Sequence, residues 1–454
     1  MDEKKVFISV LLTSFFGPFM ASSVNVAIPS MAQEYGLNAA ELTGVLTLFL
    51  LGAVSFLLPF GKIADIKGRR KIYQYGCFGV AVSTFLCIFS PSLKILLILR
   101  FIQGVCMSMN FSTGMAMLIA SHPAQKRGQV IGYSAACVYL GLSLGPVLGG
   151  ALTEFWGWRT VFIFTSFGIL ASICIMQTVR QEWYGNQCEK LDIISSVLYF
   201  LFSSLILYGI SNYSGHPSMK WLCLSGFILG IILIVRQKYT PFPLFNLSLF
   251  KNTIFTMSNI AAFIHYSATF GISFVLSLYL QVIRGLNPFS AGMLLLLQPI
   301  MMSVLSPFAG ALSDKFEPRL VASCGMTLTA AGLFSLSFLT YETSFYHIGL
   351  ILLVIGIGFA LFSSPNNNAI MGAVSPSLYG VASSILAAMR MFGQAASMAV
   401  VSLLLTVYTN DIVAAAYLPA LLEGMQKIFI VLSLTCTAGI FCSLARGSKK
   451  HNSV

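Results

Sequence analysis

The chain has 454 residues, 57% of them hydrophobic and 9% charged, where an ordinary soluble domain carries roughly 25% charged residues. That balance excludes a soluble globular fold and points to an all-α polytopic membrane protein. The formal net charge of +12 does not indicate nucleic acid, because the basic residues fall in short loops between apolar runs, where they orient the chain and meet anionic lipid heads.

A span needs about 20 apolar residues, and by that measure the sequence predicts roughly fourteen. The first six cover 6–29, 42–60, 72–90, 94–120, 129–152 and 159–179. Two more cover 192–212 and 219–236, and the last six cover 254–283, 289–311, 319–340, 346–370, 379–408 and 425–445. The first run is too long for a signal peptide and lacks a convincing cleavage site, so it is read as a retained helix. Two six-helix bundles, 6–180 and 254–446, are therefore expected around an inserted pair, 191–238. Thr240-Pro241-Phe242-Pro243-Leu244-Phe245 reads as a linker after that pair.

One loop organises the rest: Gly61-Lys62-Ile63-Ala64-Asp65-Ile66-Lys67-Gly68-Arg69-Arg70-Lys71. Gly310-Ala311-Leu312-Ser313-Asp314-Lys315-Phe316-Glu317-Pro318-Arg319 repeats it, with Asp four residues and Arg nine residues after the Gly. The recurrence predicts two related halves. Lys4, Lys5, Lys62–Lys71, Lys126, Arg127, Arg180, Lys190, Arg236, Lys238, Lys251, Lys315, Arg319, Arg446, Lys449 and Lys450 share one side. The opposite loops hold mainly Lys94, Arg159, Lys220, Arg284 and Lys427, with the acids Glu34, Glu41, Glu154, Glu342, Asp411 and Glu423. This bias places both termini in the cytoplasm of a multi-pass cell-membrane protein. The ten cysteines are dispersed, without metal-ligand spacing, and read as free thiols. No Gly-x-x-x-x-Gly-Lys-Ser/Thr loop is present, so ATP-driven pumping has no support.

Polar residues inside the membrane need a reason, since a charge there costs about 3 kcal/mol on insertion scales. Arg100 and Arg390 are fixed cations that can bind an anion or carbonyl, or bias a neighbouring acid, if backbone carbonyls do not simply satisfy them. His265 can relay protons, or sit in an internal hydrogen bond. Asn25, Gln103 and the run Asn366, Asn367 and Asn368 could line a cavity or glue helices together. Within Gly141–Gly150, the residues Gly141, Gly145, Pro146, Gly149 and Gly150 permit close helix approach. They are expected to form either a static helix pair or the surface on which two halves slide. No Asp or Glu falls in mid-membrane.

Together these motifs resemble the major facilitator superfamily over almost the whole chain, most closely its fourteen-span drug:proton antiporter branch. The resemblance implies that Asp65 and Arg69, flanked by Gly61 and Gly68, form a charge latch at the cytoplasmic face, with Asp314 and Arg319 as its echo. Arg100-Phe101-Ile102-Gln103-Gly104 is similar to a fourth-helix motif tied to proton coupling, and Gly141–Gly150 to a fifth-helix antiporter motif. Asn25-Val26-Ala27-Ile28-Pro29 and Arg390-Met391-Phe392-Gly393-Gln394 resemble first-helix and late-helix motifs of the same branch. Two positions depart: Met20 stands where the first-helix motif usually opens on Asp, and Gly44 where helix two often has Trp. Without that acid, Glu41, Glu154, Asp192 and His265 are the candidate protonatable groups.

The expected function is export of small amphipathic, drug-like molecules by a proton-driven secondary transporter. Its two bundles would rock about a midplane cavity lined by helices one, four, five, nine and thirteen. The alternative is a proton-independent facilitator or exporter of a neutral or anionic metabolite, favoured by the missing carboxylates. A membrane sensor that has lost transport is a third reading. Paired acids, metal-spaced histidines and nucleophile–base arrangements are lacking, which argues against an enzyme. The expected partners are a small-molecule substrate, protons and lipid, with no cofactor, no metal, no nucleic acid and a monomeric chain.

Overall fold

A computed structural model describes residues 2–35, 43–211, 218–286, 288–409 and 414–447. Glu41, Asp411, Lys449 and Lys450 lie outside them. The described regular structure is helical throughout, in fourteen rods. In the first six, α1 is Asp2–Tyr35, α2 is Thr43–Ser55 with Leu57–Lys67, α3 is Arg69–Ile88, α4 is Leu93–Ser121, α5 is Arg127–Trp156 and α6 is Arg159–Gln177. The middle pair is α7, Ile193–Ser211, and α8, Met219–Tyr239. The last six are α9, Thr253–Ile283, α10, Phe289–Lys315, α11, Pro318–Leu336, α12, Phe345–Gly372, α13, Tyr379–Thr409, and α14, Ala414–Leu444.

Among the described residues, twelve helices are long and apolar enough to cross a bilayer, and thirteen if the two pieces of α2 count as one span. The expected span at 72–90 corresponds to α3, which is 20 residues long but opens on Arg69, Arg70 and Lys71 and falls short of that measure. The pieces of α2 meet at 43° beside Phe56. Pro59 explains the bend: it has no N–H to give the Ser55 carbonyl four residues back.

Each helix pairing in the first six has a counterpart in the last six. α1 packs on α5 as α9 packs on α13, α2 on α4 as α10 on α12, and α3 on α6 as α11 on α14. Each bundle holds its own apolar core. A third cluster, with Leu58, Ala116 and Ile131 from one bundle and Phe255, Ile370 and Ala382 from the other, joins them. The bundles meet along two seams, α5 against α10 and α2 against α13. Small residues make the first seam close. A Cβ on Gly128 would run into the Gly310 carbonyl, and one on Gly132 into the Ser306 carbonyl, while the Ser303 hydroxyl donates to the Ala136 carbonyl at 3.0 Å. The second seam is covered: α7 lies on α2 and reaches α13, with the Tyr199 hydroxyl donating to the Val54 carbonyl (3.1 Å) and Phe202 against Phe392 (5.6 Å between ring centres).

Candidate functional site

At the basic end, one aspartate from each half caps a helix of the other. Asp65 accepts the backbone N–H groups of Gly380 (3.2 Å) and Val381 (3.1 Å), at the start of α13. Asp314 accepts those of Gly128 (2.9 Å) and Gln129 (3.1 Å), at the start of α5. Unsatisfied N–H groups and the helix dipole favour a carboxylate in both places. Asp65 also holds Arg69 at 2.8 Å, both buried, and Arg69 reaches the Pro376 carbonyl at 2.7 Å. Gly61 lets α2 touch the Gly380 turn, and Gly68, at φ 109°, turns the chain between α2 and α3. Asp314 takes Asn368 (3.1 Å) as a neighbour, and Arg319 bonds to Glu317 (2.7 Å).

The segment between α6 and α7 straps the Asp65 side. The Trp183 carbonyl accepts the Arg69 N–H (2.9 Å), the Gly185 N–H donates to the Asp65 carbonyl (2.7 Å), and Lys62 pairs with Glu189.

Inside the first bundle, Arg100 and Gln103 face α1, α2 and α3. Arg100 Nε donates to the Val45 carbonyl (3.0 Å), its guanidinium lies 4.5 Å from the Phe49 ring centre, and Nη1 meets Gln103. Met20 completes the pocket: its sulfur is 3.9 Å from Arg100 Nη1 and 3.1 Å from Gln103 Nε2. Arg100 Nη2 has no partner. The residue that replaces the expected first-helix acid thus sits against the buried arginine.

The second constellation bridges the bundles. His265 stacks on Phe362 (4.0 Å between ring centres, 23° between planes) and meets Phe359 edge-on at 4.7 Å. Phe359 also meets Tyr266 (5.5 Å) and, from the other bundle, Tyr139 (5.6 Å). Arg390 lies 6.0 Å above the Tyr266 ring. Both His265 ring nitrogens are buried without a partner, an expensive arrangement in a dry interior. Asn366 is nearer the basic end, donating to the Ser258 carbonyl (3.2 Å) with its own oxygen unpaired. Sequence reasoning found His265 and Arg390 but missed Tyr139, Tyr266, Phe359 and Phe362. An aromatic ring in an apolar run carries no signal beyond a tyrosine hydroxyl that needs a partner.

The model of the Major Facilitator Superfamily matches residues 10–257 and 258–451, one match per half. This chain belongs to that superfamily. Among curated relatives, it is 30% identical over 386 residues to the riboflavin transporter RibZ of Clostridioides difficile, covering 84% of each chain. It is 25% identical to the lincomycin resistance protein LmrB of Listeria monocytogenes, covering 96% of this chain and 95% of that one. The crystal structure of the human organic anion transporter MFSD10 (TETRAN) shares the fold, with TM-score 0.67 and 16% identity over 97% of this chain and 98% of that one.

In this superfamily transporter one sequence expectation changes. The glycine run does not form the sliding surface between halves. Cβ atoms on Gly141, Gly145 and Gly149 would meet Phe15, Phe19, Ser22 and Ser23 of α1, in the same bundle. Pro146 lacks the N–H that would serve the Leu142 carbonyl, and Ser22 of α1 donates to it instead (3.0 Å). Gly150 lies beside Val26. The run is thus an intrabundle clamp, because its small face points at α1. Asn25 is exposed on α1. Asp192 is held as a carboxylate between α7 and α8. Burial opposes its charge, but hydrogen bonds from Arg236 and Ser195 outweigh that and pull its pKa down to about 2.

Proposed function

We propose that the chain exports small, amphipathic, ring-containing molecules across the cytoplasmic membrane by alternating access, with both termini inside the cell. The observation that carries this reading is the aromatic cluster shared by both bundles, in which His265 keeps two unpaired nitrogens. A planar ligand between Tyr139, Tyr266 and Phe359 would stack as those rings stack now, at about 0.5–1.5 kcal/mol per contact, and a polar group on it would satisfy His265. A riboflavin transporter and a lincomycin resistance protein among the relatives are in keeping with such a site. Closure of the basic end by Asp65 and Asp314 supports a state open or poised to open on the other side. Drive would come from inward proton flow, with His265 the group that exchanges the proton once alternating access opens the cluster to water.

A second reading, a proton-independent carrier of a neutral or anionic compound, is favoured by Met20 standing against Arg100 with Nη2 unpaired. Proteoliposomes loaded with a fluorescent planar dye and assayed with and without an imposed pH gradient separate the two. Antiport predicts efflux at least severalfold faster with the gradient, and loss of that dependence in His265→Phe with exchange retained. Equal rates in the unaltered protein dismiss antiport in favour of the facilitator.

A further inference from the structure

The two halves repeat one another at the basic end, and one place breaks the repeat. In the first bundle the opening turn of α3 is covered by a carboxylate: the backbone N–H groups of Arg70 and Lys71 donate to Glu182 at 2.7 and 3.3 Å. Gly68 lies directly against that carboxylate, where a Cβ would collide with it. Such a turn is a natural seat for an anion, with free N–H groups and the positive end of the helix dipole.

The matching turn in the second bundle opens α11, since Arg319 follows Gly310 as Arg70 follows Gly61. Glu317 stands at the position of Gly68, makes no side-chain cap and bonds to Arg319. The group brought to this turn from the end of the bundle is a cation. Arg446, two residues past α14, is 1% exposed, and its Nε, Nη1 and Nη2 all lack a partner. Burial alone pulls its pKa down to about 9, the mark of a cation without a counter-ion. It shares a cavity with Ile254, Glu317, Pro318, Arg319 and Ala369. Two arginines and a helix N-terminus against one carboxylate leave that cavity positive. Its volume, about 20 Å³, admits one oxygen atom, so the rest of any ligand stays at the mouth. Phe316 and Leu320, beside Glu317 and Arg319 in the chain, and Phe441 and Leu444, in the last turns of α14, are exposed, an apolar surface suited to acyl chains.

We propose that Arg446, Arg319 and the first turn of α11 hold the phosphate of an anionic phospholipid, supplying from the membrane the negative charge that Glu182 supplies in the other half. One non-bridging oxygen sits in the cavity and the acyl chains run along α11 and α14. The inference is independent of the exported substrate.

The test uses the full chain, stripped of lipid in detergent, then returned to nanodiscs of pure phosphatidylcholine or of phosphatidylcholine with phosphatidylglycerol. Thermal unfolding is followed in each, and native mass spectrometry counts retained lipid. The expected result is a Tm several degrees higher with phosphatidylglycerol and one tightly held copy. Both effects should disappear in Arg446→Gln and return in part in Arg446→Lys. If Arg446→Gln does not fold, the lysine variant and Arg319→Gln provide the same comparison with weaker retention expected. Equal Tm in both membranes, or equal retention in the unaltered protein and the variants, overturns the proposal. Stabilisation of the detergent-solubilised protein by millimolar inorganic phosphate to the same extent would assign the seat to free phosphate and overturn the lipid.

Discussion

The two seams between the bundles start from the same device and are held in different ways. Along α2 and α13, Asp65 caps α13 and also neutralises Arg69, which reaches across to Pro376. The strap at Trp183–Glu189 and the overlying α7 then fasten that side from outside. Along α5 and α10, Asp314 caps α5, but the seam itself is backbone against backbone at Gly128, Gly132 and Gly310. Directional charged contacts resist sliding and break all at once, whereas smooth glycine faces pass one another with little change in energy. The symmetric motif therefore produces an asymmetric joint: a clasp on one side and a bearing on the other. The inserted pair α7 and α8 accounts for much of the asymmetry, since it covers one seam and leaves its symmetry mate uncovered.

The largest effect is expected at Asp65. Asp65→Ala leaves Arg69 buried without a counter-ion, a loss on the order of 3–5 kcal/mol for a broken buried pair. Asp314→Ala removes two charge-assisted caps, worth about 1–2 kcal/mol. Labelling of cysteines placed at the basic end should thus rise much more in the Asp65 variant, with a correspondingly larger fall in transport turnover. Equal effects would mean that the clasp is no stronger than the bearing.

A middle-sized effect is expected at the bearing. Gly132→Val drives a side chain into the Ser306 carbonyl, an overpacking penalty of about 1–3 kcal/mol. Distances between spin labels on α5 and α10 should lengthen at the basic end while those between α2 and α13 stay fixed. Matched lengthening of both would show that the seams move as one.

The smallest effect concerns the hairpin. Asp192 ties α7 to α8 through Arg236, both contacts at 3.1 Å, and its pKa is depressed to about 2. A depressed carboxylate stabilises the fold above its unfolded pKa of about 3.9 and loses that contribution only as pH falls through its folded value. Between pH 5 and 8 its charge is constant, so Asp192→Asn should lower thermal stability slightly and leave the pH profile of transport unchanged. A shifted profile would restore Asp192 as a proton carrier.

Much of the molecule could be read from sequence. A bilayer requires that every backbone group be satisfied within a helix, so an apolar run of the right length becomes a rod whatever surrounds it. The Gly61 and Gly310 motifs disclosed the duplication for a similar local reason, a helix end with a carboxylate at a fixed offset from a glycine. What sequence could not say was which face of each rod meets protein and which meets lipid. Both surroundings are apolar, and the amphipathic stripe that marks a soluble helix is missing. Gly141–Gly150 was therefore legible as a close contact but not as one with α1, and Tyr139 and Phe359 carried no mark of facing each other across the bundles. The rods, their order and their twofold plan were legible in the chain alone, because they follow from backbone hydrogen bonding in lipid and from a repeated motif. The surroundings of Arg100, His265 and Arg446 came from packing, because a buried polar atom is defined by what stands within about 3 to 4 Å of it and not by its neighbours in the chain.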